Sequence, residues 1–432
     1  MFEMSTNSDA RRVLLLSTTT GYQLRSFGES AERLGIELLL GTDRCHHLDD
    51  PWRDDAIPVR FHDDYGSLQA ILQRTQTHPI AGVIAVGDRP TVLAAYVAEA
   101  LHIRGNPVAA ADATRSKKAM RRRFKGAGMP TPWHFHVKAD ENLRRIVDRA
   151  TYPCVVKPLG LSGSRGVIRA NGPSELEEAV RRVRALLARP EVRAQRTGLV
   201  DELLIEGYIE GREYAIEGLL TDGNLRVLAI FDKPDPLDGP FFEETIYVTP
   251  SALSPEVERA IETEVSRATA ALGLVHGPIH AECRVGEDGV TMLEVAARPI
   301  GGLCSKVLRF ERDRQLVALE EVLLRHAVGE DTSAFARERS AAGVMMIPIP
   351  RRGIFKGVAG EDVARTVPFV KDVRITAKQD QLLEPLPEGD SYLGFIFARA
   401  EQPRMVIDAL RAAHLALRFE IDPELRILRG SA

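Results

Sequence analysis

Four cysteines in 432 residues, Cys45, Cys154, Cys283 and Cys304, are too few for a disulfide framework and too far apart for zinc-knuckle spacing. Long apolar runs are also missing. Val13 to Leu16 and Gly82 to Val86 fall far short of the roughly 18 to 20 residues that cross a bilayer. The N-terminus has neither the basic start nor the extended apolar segment of a signal peptide. Charge of one sign is lacking: 57 basic side chains against 61 acidic ones leave −4, which argues against a whole-protein field toward nucleic acid or a membrane surface. No internal repeat or low-complexity tract is present, and the eleven histidines show no metal-ligand spacing. What remains is a reduced, cytoplasmic protein of two to four domains, with no nucleic-acid or membrane partner.

The first hundred residues alternate short apolar strands with helical segments: Val13 to Leu16, a helix near Leu24 to Leu34, Ile36 to Leu40, Ala81 to Val86 and a helix near Thr91 to Leu101. That alternation predicts a parallel, doubly wound sheet. The segment Ser17-Thr-Thr-Thr-Gly21 after the first strand lacks the glycine spacing of a dinucleotide-binding turn, so nicotinamide chemistry is not expected. Ser17 to Tyr22 either lines a cleft at the strand's carboxyl end or forms a plain tight turn.

A basic helix, Arg115 to Lys125, then ends at Gly126-Ala-Gly128 and Pro130-Thr-Pro132. Seven basic residues crowd it without interleaved aromatics, which reads as a solvated face with one lysine turned inward toward a phosphate. Tyr152-Pro-Cys-Val-Val-Lys157-Pro158 is a buried strand with a lysine near its end, a position where burying an ammonium is costly. The loop Gly160-Leu-Ser-Gly-Ser-Arg-Gly166 follows and leads to a returning strand, Val167 to Arg169. Such a loop can offer backbone N–H groups to phosphates, and it can equally be an ordinary turn.

Ser174-Glu-Leu-Glu177 reads as a capping box opening a helix to about Ala188. Residues 203–220 read as strand, bend and strand, with Glu206 and Ile209 placed to bond an adenine edge and Glu213 to take ribose hydroxyls. An acidic hairpin turn is the alternative. Ser254-Pro255 starts a helix with Val257, Ile261 and Val265 spaced at four, and Gly273 ends it.

Ile279 to Val285 and Val290 to Ala296 are strand-like runs around Gly286-Glu-Asp-Gly289, an Asp-Gly hairpin signal. Glu282 and Glu294 then fall within about one residue of facing each other across the ladder. Paired carboxylates repel unless a cation lies between them, and hard oxygen donors suit Mg²⁺. Solvated surface acids are the alternative. From about Ser340 the chain becomes strand-rich again, with Gly343 to Ile347, Val373 to Thr376, Tyr392 to Ala398, a helix near Pro403 to Ala416 and a last strand, Leu417 to Ile421. This predicts a separate α+β module packed on the rest.

The ordered set Arg115-Ser-Lys117, Val155-Val-Lys157-Pro158, Ser162-Gly-Ser-Arg-Gly166, Glu206, Ile209, Glu213, Glu282 and Glu294-x-x-x-Arg298-x-x-Gly301 resembles the ATP-grasp superfamily over about residues 1 to 335. Arg298-Pro-Ile-Gly-Gly302, Gly343-Val-Met-Met and Tyr392-Leu-Gly-Phe-Ile look like bacterial L-amino-acid ligases. The resemblance implies an ATP-grasp fold with a Rossmann-like N-terminal unit (residues 1–109), an ATP-grasp unit (110–338, lid about 130–195) and a C-terminal α+β unit (339–432).

By the same resemblance, Lys117 and Lys157 correspond to phosphate-binding lysines, and Ser162, Gly163, Ser164 and Gly166 lie in the mobile lid. Glu206 and Ile209 match adenine contacts, Glu213 the ribose acid, and Glu282 and Glu294 the ligands of Mg²⁺, with Mn²⁺ as a substitute. One departure is Ala296, where the superfamily usually has Asn. The implied reaction is attack of a substrate carboxylate on the γ-phosphate of ATP, giving an acyl phosphate and ADP, then displacement of phosphate by an amine. Arg298 with the backbone of Gly301 or Gly302 would stabilise the tetrahedral oxyanion, worth roughly 3 to 4 kcal/mol for a single donor elsewhere. A salt bridge from Arg298 to Glu294 is the structural alternative.

Glu243 or Glu244 is a candidate for the substrate amino group, with Phe241, Phe242 and Tyr247 shaping the pocket, while His280 reads as a satisfied strand residue. The expected substrates are a small carboxylate, an amino acid, and an amine, and a homodimer is the expected assembly. Bicarbonate activation, formate ligation and non-catalytic nucleotide binding are the competing functions, the last favoured by Ala296.

Overall fold

The structure, a computed structural model, describes residues 11–18, 23–43, 56–138, 140–196 and 198–424. Most of Ser17 to Tyr22, and Cys45, therefore lie outside the described residues. No helix among those described is long and apolar enough to cross a membrane.

The N-terminal sheet is parallel, as the alternation predicts, in the spatial order Ile57–Pro58, Glu37–Thr42, Arg12–Ser17, Gly82–Val86. The strand Arg12–Ser17 is apolar from Val13 to Leu16 because both faces are covered. Val13 and Leu15 join one core with Phe27 and Phe231, whereas Leu14 and Leu16 join another with Ile71 and Leu93. The sequence reading missed the helix Asp64–Thr77, whose N-cap Asp63 accepts from the Gly66 N–H.

The basic helix is two helices, Val108–Arg115 and Lys117–Gly126, rather than one. Ser116 leaves the helical region, with φ −121° and ψ 110°, and its hydroxyl accepts from the Ala119 N–H, so a local cap outcompetes a continuous helix. A similar correction applies to the proposed capping box. The helix starts at Pro173 with Gly172 as its cap, which puts Ser174 inside the first turn.

A four-stranded antiparallel sheet covers the region expected as the lid, in the order His134–Lys138, Glu202–Gly207, Cys154–Pro158, Ile168–Ala170. Its core includes Val156, Ile205 and Leu176. The central sheet has eight strands, running Gly289–Ala296, Gly277–Gly286, Arg212–Thr221, Asn224–Asp232, Ile246–Thr249, Ala341–Ile347, Gly394–Ala400, Val370–Ile375. The C-terminal strands are divided between this sheet and a smaller one. Three of them extend this central sheet, because Ala341–Ile347 pairs with Ile246–Thr249. Only Gly353–Ala359, Leu382–Leu383 and Arg418–Asp422 form a small sheet of their own in that region. The helix Pro255–Leu272 covers one face of the central sheet with Ile261, Val265 and Leu272, and ends at Gly273 with φ 74°, a left-handed conformation that glycine adopts without a Cβ clash.

The lid is fastened to the C-terminal region by ion pairs. Arg182 and Arg189 pair with Glu388 and Glu384, and Arg165 reaches Asp390 at 3.2 Å and the Glu388 carbonyl at 2.8 Å.

Candidate active site

The lid, the N-terminal sheet, the central sheet and the segment Asp390–Tyr392 enclose a cleft of about 550 Å³. Lys117, Lys157, Ser162, Gly163, Ser164, Glu206, Ile209, Glu213, Glu244, Glu282, Glu294, Arg298, Gly301 and Gly302 all line it. Gly166 does not. Its N–H donates to the Pro387 carbonyl at 2.8 Å, and an added Cβ would come within 2.6 Å of Pro158, so this glycine anchors the lid loop.

The hairpin puts Glu282 directly opposite Glu294, followed by a bulge. Each acid faces an ammonium: Glu294 lies 3.5 Å from Lys117, and Glu282 lies 2.7 Å from Lys233. Lys117 turns inward as expected and also donates to the Leu161 carbonyl at 2.9 Å, tying the first helix turn to the lid loop. Lys157 points into the cleft 2.7 Å from Glu206.

The Glu206 carboxylate is already engaged. It is buried and accepts two bonds from Arg121, at 2.7 and 3.1 Å, so these cations together with Lys157 hold its pKa far below the usual carboxylate range against the cost of burial. Glu213 likewise accepts from Lys233 at 2.8 Å and from Arg284 at 3.1 Å. The Ile209 carbonyl accepts from Arg284 at 2.7 Å.

Lys233, which the sequence reading missed, lies just beneath the floor and ties its acids together. Its ammonium sits 2.8, 2.6 and 2.7 Å from Glu213, Glu244 and Glu282, over the Tyr247 ring. With Lys233 and Arg284 set against Glu213, Glu244 and Glu282, the cluster has one carboxylate in excess of its cations. Burial and the neighbouring carboxylates push Glu244 up to about 7, whereas Lys233 and His280 hold Glu282 well below the usual range. Lys233 stands at the end of a strand before Pro234, the same costly position that singled out Lys157, so a signal was present in the sequence.

Of the acidic pair, Glu244 faces the cleft and Glu243 does not line it. Phe242 and Tyr247 line the cleft, but Phe241 packs beneath the Arg182 guanidinium of the lid, 4.8 Å from the ring centroid.

Arg298 does not pair with Glu294. Asp88, at the end of the N-terminal sheet, takes its Nε at 2.8 Å and one Nη at 3.3 Å, which raises the guanidinium pKa further. His280 lines the cleft: its Nδ1 is 2.5 Å from Glu217, its Nε2 is 3.8 Å from Glu282, and the Glu217 carboxylate lifts it to about 9 despite burial. Cys154, Cys283 and Cys304 are buried thiols, and burial pushes Cys154 up to about 12, so none is a ready nucleophile.

Comparisons with known proteins agree with this arrangement. Residues 28–104 match the ATP-grasp N-terminal domain, residues 150–307 the ATP-grasp domain and residues 345–422 the L-amino acid ligase C-terminal domain 2. The alanine--anticapsin ligase of Bacillus subtilis (strain 168) is 28% identical over 289 residues, 62% of this chain; the match spans 60% of that ligase's length. A formate-dependent phosphoribosylglycinamide formyltransferase of Pseudomonas aeruginosa (strain LESB58) is 28% identical over 83% of this chain and 84% of its own. The crystal structure of an L-amino acid ligase from Bacillus licheniformis superposes with a TM-score of 0.79 at 28% identity, covering 95% of this chain and 99% of that one.

Proposed function

We propose, for a chain that belongs to the ATP-grasp ligases, that it joins the carboxyl group of an amino acid to a second amine, converting ATP to ADP and phosphate through an acyl phosphate. The observation that carries this reading is the single cleft onto which Lys117, Lys157, the facing acids Glu282 and Glu294, and the Arg298–Gly302 turn all open. The domain division that goes with it is 1–109, 110–338 and 339–432.

The donor set fits the groups the family uses. ATP-grasp enzymes bind ATP with divalent ions, and two opposed carboxylates in a cluster short of positive charge suit a hard cation, Mg²⁺ or Mn²⁺. Such an ion would take up charge on the transferring phosphoryl group. The chain's own residues do the rest. Lys157, held by Glu206, and Lys117, held by the Leu161 carbonyl, present N–H donors to anionic oxygens. The loop at residues 160–165 closes over them and keeps water out.

Arg298, aimed by Asp88, and the backbone N–H of Gly301 or Gly302 stabilise the oxyanion when the amine adds to the acyl phosphate. Glu244 is the acid for a substrate ammonium. Held by Lys233 in a net-negative cluster, it favours a second cation at its remaining lone pairs. The C-terminal domain match favours this reading over formate ligation.

The test is ADP release by the purified protein with Mg-ATP, against single amino acids, amino-acid pairs, bicarbonate and formate, with mass spectrometry of the products. Amino-acid-dependent ADP together with a condensed product is expected. ADP only with bicarbonate or formate would overturn the reading.

A further inference from the structure

We propose that Glu217 is the positioning residue that ties the metal side of the cleft to its oxyanion side, one carboxylate oxygen holding His280 beside Glu282 and the other holding the Ile300 amide at the head of the Gly301–Gly302 turn.

Glu217 lies in the middle of the strand Arg212–Thr221, directly opposite His280, and is 1% exposed. Its strand neighbours Ile216 and Leu219 are apolar core residues. A carboxylate in such a place is costly unless both oxygens are bonded. Both are: Oε1 meets His280 Nδ1 at 2.5 Å, and Oε2 accepts from the Ile300 N–H at 3.0 Å. The two partners sit on different walls of the cleft. With Nδ1 committed to Glu217, the imidazole presents Nε2 toward Glu282, 3.8 Å away, an ionic neighbour rather than a hydrogen-bond partner.

On the other side, the Ile300 residue is fixed at both polar atoms. Its N–H goes to Glu217, and its carbonyl accepts from Gln23 Nε2 at 2.5 Å. The peptide that carries the Gly301 N–H is thereby oriented, and Gly302, with φ 62°, completes a turn that most side chains would strain. An oxyanion donor is effective only when its direction is set beforehand. The catalytic consequences rest on the ligase reading, whereas the pinning of the turn does not.

The experiment compares E217Q, E217A and Q23A with the wild type in two readouts. The first is amide hydrogen exchange over Ile300 to Cys304 in protein without substrates. The second is kcat, KM for ATP and the ratio of ADP to amide product under the amino-acid conditions above. E217A and Q23A are expected to raise exchange at the turn by at least about tenfold. E217A should lower kcat by about 10- to 100-fold with KM for ATP within about threefold, and should raise ADP released per amide, because the turn acts after phosphoryl transfer.

E217Q keeps an acceptor for the Ile300 N–H, so its exchange and product ratio should stay near wild type while kcat falls through the loosened His280. Wild-type exchange in both E217A and Q23A would overturn the proposal, as would wild-type kcat and product ratio in E217A. If E217A does not fold, E217Q and Q23A decide by the same readouts. A wild type that makes no ADP with any amino acid would sink the ligase reading alone, since hydrogen exchange still decides whether Glu217 and Gln23 hold the turn.

Discussion

The floor of the cleft and the edge of the lid are built from the same residue types, yet their charges serve different ends. Just beneath the floor, Lys233 is 3% exposed and surrounded by three acids, and on the lid Arg182 is 38% exposed and faces Glu388. Buried charges cannot exchange a partner for water, so each defines where the others must be. Partly exposed pairs exchange readily, are screened by salt and contribute little to stability. Contacts of the second kind let a part of the molecule move, and contacts of the first kind hold side chains in place. The contrast teaches that the number of ion pairs says little here; depth decides what each one does.

Breaking the floor should have the largest effect. Replacing Lys233 with Met leaves buried carboxylates without their cation, and an expected loss of about 3 to 5 kcal/mol in denaturant unfolding measured with chelator would follow. Added Mg²⁺ or Mn²⁺ should restore part of it, since three carboxylates within reach of one another then have no ammonium between them. A Lys233→Met protein as stable as the wild type would remove the distinction between the two regions.

Glu294→Gln on the central sheet and Lys157→Ala on the four-stranded sheet separate chemistry from stability. Each should lower ADP formation by about 100-fold or more while thermal unfolding moves by only a few degrees. Wild-type turnover in either variant would remove the roles assigned to them.

A third region, buried but uncharged, sharpens the comparison. His276 and His326 stack with ring centroids 4.3 Å apart, and His326 Nε2 lies 2.9 Å from the Thr221 hydroxyl. Burial, with the neighbouring His276 adding to it, lowers His326 to about 4. The unfolded chain takes up that proton as pH falls below about 6.5, and the folded chain does so only near 4. Stability is therefore complete above about 6.5 and declines toward 4, by about 3 kcal/mol, and His326→Gln should flatten that slope in unfolding experiments across this range.

The smallest effect should come from the lid edge. Arg182→Ala is expected to change stability by less than about 1 kcal/mol, and any rise in KM for ATP should shrink as salt increases. A loss as large as that from Lys233→Met would mean that depth is not what separates the two regions.

Some of this was legible beforehand because it is local. The Asp-Gly turn sets a hairpin register that brings Glu282 within one residue of Glu294, and the bulge between Glu282 and Cys283 makes the pair face directly. The helix Pro403–Ala416 and the strand ending in Lys157 also follow from patterns within a few residues. Where local signals competed, the reading slipped: Ser116 looked like part of a helix and is a cap, and Ser174 looked like a cap and is inside a helix.

The sequence by itself determined which residues are chemically suited to phosphate, a hard cation and an oxyanion, and the order in which they occur, because side-chain type and short-range turns are properties of the chain. Only the tertiary structure decided which of them meet. Arg298 found Asp88, 210 positions away, instead of Glu294 four away; Lys233 came to rest among three acids; and Glu217 joined His280 to Ile300. The C-terminal strands entered the central sheet for the same reason. A backbone N–H or a charge carries no address for its partner, and the choice is made only when long loops close and burial makes every unpaired polar group costly.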